Sequence, residues 1–227
     1  MGQVDLGRQA ALLLLADGRL PAGGYAHSGG LEPAVIAGRV RNMADLEAFL
    51  TGRAQTAGLV AAAFAAAACA RASRDDLAAL PELEAEFDAR IPSPELRKVS
   101  RDLGRQLQRA MGSIHPHRYF SALGRAPHQP LVMGVAASVL GLGPQDAALA
   151  ILHDNNAGAA AAAKLMRVDP FEVHAILARA TGPLDDLARR AAETADADPA
   201  DLPAPSAPLA DIAAEHHRRA DARLFAS

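Results

Sequence analysis

Residues 20–32 read Leu20-Pro21-Ala22-Gly23-Gly24-Tyr25-Ala26-His27-Ser28-Gly29-Gly30-Leu31-Glu32 and join two apolar segments of helical character. A proline followed by paired glycines is typical of a turn whose backbone angles other residues resist. Ser28 is placed to cap the helix that follows, and Glu32 lies about one turn inside that helix, near its positive end. The residues by themselves favour a tight helix–helix connection. The alternative is a shaped surface that another backbone approaches closely.

The composition indicates a helical protein of one sizeable domain or two small ones. The chain has 227 residues; half are apolar, only 4% are aromatic, and much of the apolar content is alanine, which favours helix. A formal net charge of −3 argues against nucleic acid as a partner. Lys98 and Lys164 are the only lysines, so the positive charge is almost all arginine, which suits bidentate contacts with carboxylates on a partner.

The cysteine content and the lengths of the apolar runs indicate where in the cell the protein is located. Cys69 is the only cysteine, which excludes an internal disulfide and a cysteine-based zinc site, and its alanine-rich surroundings predict a buried thiol. The first residues show no basic region followed by a cleavage site. The runs Leu12–Ala16 and Ala57–Ala70 are too short to span a bilayer. We therefore expect a cytoplasmic protein without membrane contact.

The N-terminal half predicts a series of helices. Segment 5–16 is apolar nearly all round, which predicts a buried helix, and a second helix over 29–36 should stop at Gly38. Asn42 is a cap for the next helix, and an alanine-rich helix covers 59–71.

Further helices follow between residues 73 and 111. We expect Ser73 to cap a short helix, and the acidic segment 81–89 to present a solvated face. Helix 94–111 should carry an apolar stripe on one side and basic residues on the other, namely Arg97, Lys98, Arg101, Arg105 and Arg109. That basic face is either solvated or meets an acidic partner.

The C-terminal half continues the same pattern. Segment 130–140 predicts a central helix, and 144–167 a long alanine-rich helix that is either continuous or broken near residues 154–156. Asp169-Pro170 should begin a helix that ends near Arg179, with Gly182-Pro183 separating it from the next. Four prolines between Asp196 and Pro208 read as an extended linker before a short helix over 209–219.

These patterns together predict an all-α fold, a single-domain bundle of about ten helices with a C-terminal tail. We place the core domain at residues 1–195, and a proline-rich linker with a partner-docking tail at 196–227. Apolar residues beyond a proline-rich linker are unusual for a frayed terminus, which indicates that the tail docks on something.

No arrangement for catalysis stands out in the sequence. A nucleophile needs a base within hydrogen-bond reach in space, so the adjacency of His27 and Ser28 does not make a catalytic dyad. The chain contains no Gly-x-Ser-x-Gly elbow and no phosphate-cradling Gly-x-x-x-x-Gly-Lys-Ser loop. We therefore assign no catalytic residue and no cofactor, and we predict that the protein is not an enzyme.

Metal binding is the serious alternative among the functions. His115, His117 and His128 supply imidazoles suited to nickel or zinc, as does the pair His216-His217. Adjacent helical residues point about 100° apart and rarely share one ion. We favour surface or core-filling histidines and assign no metal ligand, while a small all-α protein that binds nickel through surface histidines stays open.

Several motifs together resemble one family. Asp17-x-x-Leu20-Pro21-x-Gly23-x-Tyr25-Ala26-His27-Ser28-x-Gly30-Leu31-Glu32 closely resembles the N-terminal signature of the urease accessory protein F (UreF) family. Further similar segments are Pro94-Glu95-Leu96-Arg97-x-x-Ser100-x-x-x-Gly104-Arg105-x-Leu107, His128-Gln129-Pro130-Leu131-Val132-Met133-Gly134, Ala163-Lys164-Leu165-Met166-Arg167, Asp211-Ile212-Ala213 and Arg223-Leu224-Phe225-x-Ser227. Together they cover most of the chain in the family's order.

The resemblance implies an all-α accessory protein that acts without catalysing a reaction. Such a protein bridges a scaffold accessory protein (D/H type) and the nickel-carrying GTPase of the urease system (G type). It regulates GTP hydrolysis and couples it to nickel delivery into apo-urease. The resemblance further implies a homodimer whose tail orders on the scaffold. The expected partner-binding residues are Tyr25, His27, Glu32 and Lys164 on the core and Arg223, Leu224 and Phe225 in the tail.

Overall fold

The computed structural model describes residues 6–21 and 28–218, and within them every regular element is helical. The α-helices in chain order are α1 (Leu6–Leu15), α2 (Leu31–Ile36), α3 (Met43–Arg53), α4 (Leu59–Ser73), α5 (Leu80–Ala89), α6 (Pro94–Ile114), α7 (Arg118–Ala122), α8 (Gln129–Val139), α9 (Pro144–Ala162), α10 (Pro170–Glu193) and α11 (Pro208–Arg218). A π-turn, Ala54–Gly58, joins α3 to α4 without a break. If α3 and α4 are counted as one continuous helix, the described part of the chain contains ten α-helices. This confirms the predicted all-α class.

The alanine-rich helix α4 is the centre of the bundle. Its residues from Leu59 to Ala72 are all buried except Arg71, and α5, α8, α9 and α10 pack against it. Small side chains allow the helices to approach closely. A Cβ added at Gly134 of α8 would lie 2.2 Å from the carbonyl oxygen of Ala65 on α4. Phe64 fills the space beside this contact and meets the ring of Phe87 edge to face at 5.1 Å.

The continuous helix Met43–Ser73 is long and apolar enough to cross a membrane by length and composition alone. The sequence analysis found only the shorter apolar run Ala57–Ala70, because the residue pattern did not show that α3 and α4 form one continuous helix. However, 78% of its apolar window is buried inside the protein. This is the position of a core helix.

A second, smaller hydrophobic cluster lies beside the main core. It joins α2, α3, the end of α9, the 3₁₀ turn Ala163–Met166 and the start of α10. Its buried members are Leu31, Ala34, Val40, Leu46, Leu50, Ala160, Ala163, Val173 and Ile176. This cluster positions the end of the 20–32 stretch against the middle of the chain.

Several helix ends agree with the sequence prediction. Asn42 caps α3 by accepting a hydrogen bond from the Asp45 amide, and Asp169 caps α10 in the same manner. Gly38 ends α2 with a φ of +66°, and its amide donates to the Val35 carbonyl. A glycine in this left-handed conformation is the usual helix stop.

Other local predictions were wrong because tertiary packing overrides local signals. Helix α1 is not buried all round: Leu13 is 73% exposed, since the helix contacts α8 and α9 on one side only. Gly182-Pro183 does not separate two helices; α10 runs through it, held by packing on α9 and α4, although an interior proline costs roughly 3 kcal/mol.

Neither predicted serine cap is formed. The Ser28 hydroxyl is buried without a hydrogen-bond partner in the described part of the chain, and Gly30 takes the cap position of α2. Ser73 is instead the last residue of α4, where its hydroxyl donates to the Cys69 carbonyl. In both cases the helix boundary lies away from the expected residue.

Candidate functional site

The predicted partner-binding residues divide between described and undescribed parts of the chain. Tyr25 and His27 of the 20–32 stretch, and Arg223, Leu224 and Phe225 of the tail, lie outside the described residues. Glu32 lies in the first turn of α2 and is only 3% exposed. Lys164 is exposed on the turn Ala163–Met166, which contacts α2. The fold therefore brings together two predicted segments from opposite halves of the sequence.

Arg53 anchors the end of the 20–32 stretch, a role that the sequence analysis missed. Its Nε donates to the Gly29 carbonyl at 2.9 Å, and its Nη1 donates to the Asn155 carbonyl at 3.0 Å. Gly29 has a φ of +58°, and a Cβ there would lie 2.9 Å from the guanidinium. Glycine suits this position because it adopts a positive φ without strain and leaves room for the guanidinium.

The charge of Arg53 is held among polar groups of α9. Burial lowers the pKa of Arg53 to about 10, while the nearby Asp154 carboxylate acts in the opposite direction. Burial raises the pKa of Asp154, whose Oδ2 accepts a hydrogen bond from Gln129 Nε2 at 2.8 Å. A chain of contacts thus runs from the glycine turn through Arg53 and α9 to the start of α8. It also explains why residues 154–156 stay helical: the side chains of Asp154 and Asn155 bond to other helices.

His128 joins α5, α6 and α8 in a second polar cluster. It is fully buried, with Nδ1 3.0 Å from the Ser100 hydroxyl and Nε2 3.0 Å from Asp88 Oδ1. Its backbone amide donates to Glu84 Oε1 at 2.9 Å. Beside it, a Cβ on Gly104 of α6 would lie 2.0 Å from the Pro127 carbonyl. The Ser100–Gly104 motif and the His128–Gly134 motif therefore pack directly against each other. We call this contact between α5, α6 and α8 the helix joint.

Burial is the main influence on the pKa values of the ionisable side chains in this joint. Burial raises the pKa of Glu84 to about 7, and burial lowers the pKa of His128 to about 4. Burial also opposes ionisation of Asp88, but hydrogen bonds from Arg101 and His128 outweigh it and lower its pKa. The expectation that the acidic segment is simply solvated was wrong for Glu84 and Asp88, because both face α6 and α8.

The histidines show different environments. Both ring nitrogens of His128 are engaged within the protein, so it has no free position for a metal. His117 caps α7, its Nδ1 accepting from the Tyr119 amide at 3.4 Å, and its ring meets that of Tyr119 at 4.1 Å. Within residues 6–21 and 28–218, no group of three or more His, Cys, Asp or Glu side chains is placed to hold a metal ion. Cys69 is buried, and burial raises its thiol pKa to about 11.

The segment that was predicted to be a linker and tail makes contacts with the core over its described part. Arg90 Nη2 donates to the carbonyls of Pro199, Ala200 and Leu202 at 3.1, 2.9 and 3.1 Å. On α11, Glu215 Oε1 accepts from the Ser93 hydroxyl at 2.6 Å and from the Glu95 amide at 3.1 Å. A carboxylate at the N-terminus of α6 meets the positive end of that helix.

Large apolar side chains remain at the surface of several helices. Phe171 at the start of α10 is 84% exposed, and Ile36, Leu209 and Ile212 are more than half exposed. α11, which carries the last two, contacts α2, which carries Ile36. Apolar side chains exposed on neighbouring elements are a feature of surfaces that bind other proteins.

Comparison with known proteins gives a consistent relationship. The UreF family model matches residues 40–181. The chain is 42% identical over 217 residues to the urease accessory protein UreF of Mycobacterium sp. (strain JLS), with 95% of this chain and 97% of the relative covered. It is 43% identical over 220 residues to the protein of the same name from Mycobacterium marinum, with 96% and 98% covered. The protein of that name from Mycobacterium tuberculosis (strain H37Rv) is 40% identical over 219 residues.

Proposed function

This chain belongs to the UreF family of urease accessory proteins, and from that premise we propose that it is a non-catalytic adaptor in urease maturation. It bridges the scaffold accessory protein of D/H type and the nickel-carrying GTPase of G type. It regulates GTP hydrolysis and couples it to nickel delivery into apo-urease. It acts in the cytoplasm as a homodimer flanked by scaffold subunits.

The observation that carries the proposal is the extent of the relationship. The relatives named UreF align with this chain at about 40% identity over nearly their whole length, so the helices that bear the family motifs are all included. The structure adds physical support. Ser100 and His128, from two different motifs, lie within hydrogen-bond distance of each other inside the protein, whereas Phe171, Ile36 and Leu209 are exposed.

The partner surfaces in this proposal have distinct roles. Lys164 and the end of the 20–32 stretch lie on adjoining elements and form one contact region on the core. Glu32 is buried, so we propose that it positions α2 and the turn before it. Arg223, Leu224 and Phe225 dock on the scaffold after α11, and ordering such a segment on binding costs entropy but permits a regulated interface.

The direct test is co-purification of the full chain with its candidate scaffold and GTPase, with and without nickel and GTP, read by size exclusion and mass. We expect a stable complex that contains all three proteins. A chain that binds neither partner but retains nickel stoichiometrically would overturn the adaptor proposal. That result would favour the alternative, a nickel-binding protein, and redirect mutagenesis to His115 and His117.

The two lysines provide a matched pair for the core surface. Lys164→Ala should weaken recruitment of the GTPase, whereas Lys98→Ala on the exposed side of α6 should not. Both substitutions remove the same charge from an exposed residue, so a general effect of net charge would appear in both. Equal binding by the two variants would remove Lys164 from the proposed surface.

Two truncations separate docking from folding. Ending the chain at Arg218 removes residues 219–227 but keeps the hydrogen bonds of Glu215 to the start of α6. We expect this variant to unfold at the wild-type urea concentration and to lose scaffold binding. Ending the chain at Pro208 should abolish scaffold binding and, in addition, lower the stability, because α11 is lost. Normal scaffold binding by the variant that ends at Arg218 would refute the role of the tail.

A further inference from the structure

The basic residues of α6 divide into two groups in the fold. Arg97 and Arg101 donate hydrogen bonds to groups of residues 88–92, so both are used inside the protein. Arg105 and Arg109 lie farther along the helix and are exposed. These two line a cleft of about 670 Å³ that is open to solvent, between α6 and the loop that follows α7.

The cleft carries a net positive charge. Its charged lining residues are Arg105, Arg109, Arg125 and Asp102, and the remaining two are glutamines. Arg105 is paired with Asp102. Arg109 and Arg125 form no hydrogen bond or ion pair with any residue of 6–21 and 28–218. Two positive charges therefore share one cleft without a counter-charge, and a bound anion would supply it.

The loop that carries Arg125 is fixed to α6 on both sides of this residue. Gln108 Nε2 donates to the Gly124 carbonyl at 3.0 Å. Arg101 Nη1 donates to the Ala126 carbonyl at 2.6 Å. The backbone of Arg125 is thus held at the cleft, and its charge stays on the same surface as that of the α6 arginines.

The composition of the cleft discriminates between classes of anion. Every described residue that lines it is polar or charged. Small-molecule sites are typically enclosed and mostly apolar, and nucleobases bind by stacking on aromatic rings. Arginine pairs bidentately with carboxylates and is enriched where proteins bind one another. An open, polar cleft lined by arginines therefore favours a protein segment that bears carboxylates.

We propose that this cleft docks an acidic segment of a partner protein, with one carboxylate on Arg109 and another on Arg125. The proposal stands apart from the role in urease maturation, and its failure would leave that role intact. Lys98 lies about two turns before Arg105 and outside the cleft, so it keeps its place as the control for GTPase recruitment.

The test measures the fluorescence anisotropy of labelled probes with the full chain at about 20 mM salt, where exposed charges are weakly screened. The probes are a short oligoglutamate, a glycine–serine peptide of the same length, and an oligothymidylate of the same charge. We expect the oligoglutamate to bind about tenfold more tightly than either of the others. In NMR spectra its addition should shift the amides of residues 105–109 and 124–126 most.

Substitution of the arginines without an ion pair assigns the binding to the cleft. Arg109→Gln and Arg125→Gln should each weaken the oligoglutamate about fivefold, the effect of one exposed ion pair. Arg190→Gln is the matched control and should leave the binding unchanged. Arg190 is an exposed arginine of α10 that likewise forms no ion pair within the described residues.

Two further variants change the cleft without removing an arginine. Asp102→Asn leaves Arg105 without its carboxylate and should strengthen the binding about threefold. Gln108→Ala removes no charge but frees the loop that carries Arg125, and it should weaken the binding about threefold. Unchanged binding in both variants would contradict the proposal.

Four other results would each overturn it. One is that wild-type protein binds no oligoglutamate at millimolar concentration. Another is that Arg190→Gln weakens the binding as much as Arg109→Gln, which would show a general effect of net charge. Tighter binding of the oligothymidylate would indicate a nucleic-acid surface instead. Displacement of the peptide by an equal concentration of inorganic phosphate would indicate a site for small anions only.

Discussion

Glu84 and His128 titrate in opposite directions within the same helix joint. Folding raises the pKa of Glu84 from 4.5 to about 7, so its contribution to the free energy of unfolding is full below pH 4.5 and is lost as pH rises through 7. Folding lowers the pKa of His128 from 6.5 to about 4, so its contribution is present above pH 6.5 and is lost as pH falls through 4. Between pH 4.5 and 6.5 the two slopes oppose each other.

The substitution Glu84→Gln tests whether the pH dependence contributed by Glu84 opposes that contributed by His128. Glutamine keeps an acceptor for the His128 amide but does not ionise, so the variant avoids the cost of burying a charge at high pH. We expect its stability relative to wild type to rise by roughly 3 kcal/mol between pH 4.5 and pH 8, as urea unfolding measures it. Glu82→Gln, exposed on the same helix, is the control and should show no such trend. Parallel pH profiles for all three proteins would contradict the assignment.

Arg53 is the residue that holds the glycine turn in place. Arg53→Lys retains the charge but cannot reach Gly29 and Asn155 with the same planar fork. We expect a loss of roughly 1–3 kcal/mol in the free energy of unfolding, together with faster amide hydrogen exchange at residues 29–31. Arg39→Lys in the exposed loop after α2 serves as the control. Unchanged exchange at the turn would remove Arg53 as its anchor.

Within helix α6, two glycines lie in opposite environments. A Cβ on Gly104 would collide with the backbone of residues 127–129, whereas Gly112 has nothing within 4 Å of that position. The first glycine is required by the joint with α8. The second only weakens its helix, since glycine is less favourable than alanine in a helix interior.

Alanine substitution should therefore give opposite signs at these two positions. Gly104→Ala is expected to destabilise the protein by about 1–3 kcal/mol or more, because backbone atoms must move apart. Gly112→Ala should stabilise it by up to about 1 kcal/mol. Thermal and urea unfolding of the two variants measure both effects. A Gly104→Ala protein as stable as wild type would mean that α6 and α8 are not in close contact.

At the level of the whole molecule, three arginines hold the segment after α10 against the core: Arg71 donates to the Ala197 carbonyl, Arg74 pairs with Asp196, and Arg90 makes the most buried contact. The Arg90 side chain is nearly buried, lies 5.0 Å over the Phe64 ring and holds three carbonyls of residues 199–202. Arg90 thus links the segment after α10 to Phe64 of the central helix α4. The proline content of this segment, by itself, pointed to an extended linker.

Arg90→Lys tests whether this contact holds the segment. An ammonium group on a shorter, unforked chain cannot serve the three carbonyls and Glu86 together. We expect amide exchange across residues 197–205 to accelerate and stability to fall by roughly 1–3 kcal/mol. Arg74→Lys, in an exposed ion pair with Asp196, is the control and should change the stability much less than Arg90→Lys does. Similar effects from the two substitutions would show that Arg90 acts only as another surface charge.

The sequence by itself determined the helical class, most helix positions and the family. Helical spacing, caps such as Asn42 and Asp169, and short motifs are properties of neighbouring residues, so they can be read without the fold. Only the tertiary structure decided which polar groups are buried and paired. Arg53, Glu84 and His128 find their partners on other helices, and α10 continues through Pro183 because α9 and α4 hold it. Burial and pairing depend on residues distant in the chain, and no local pattern carries that information.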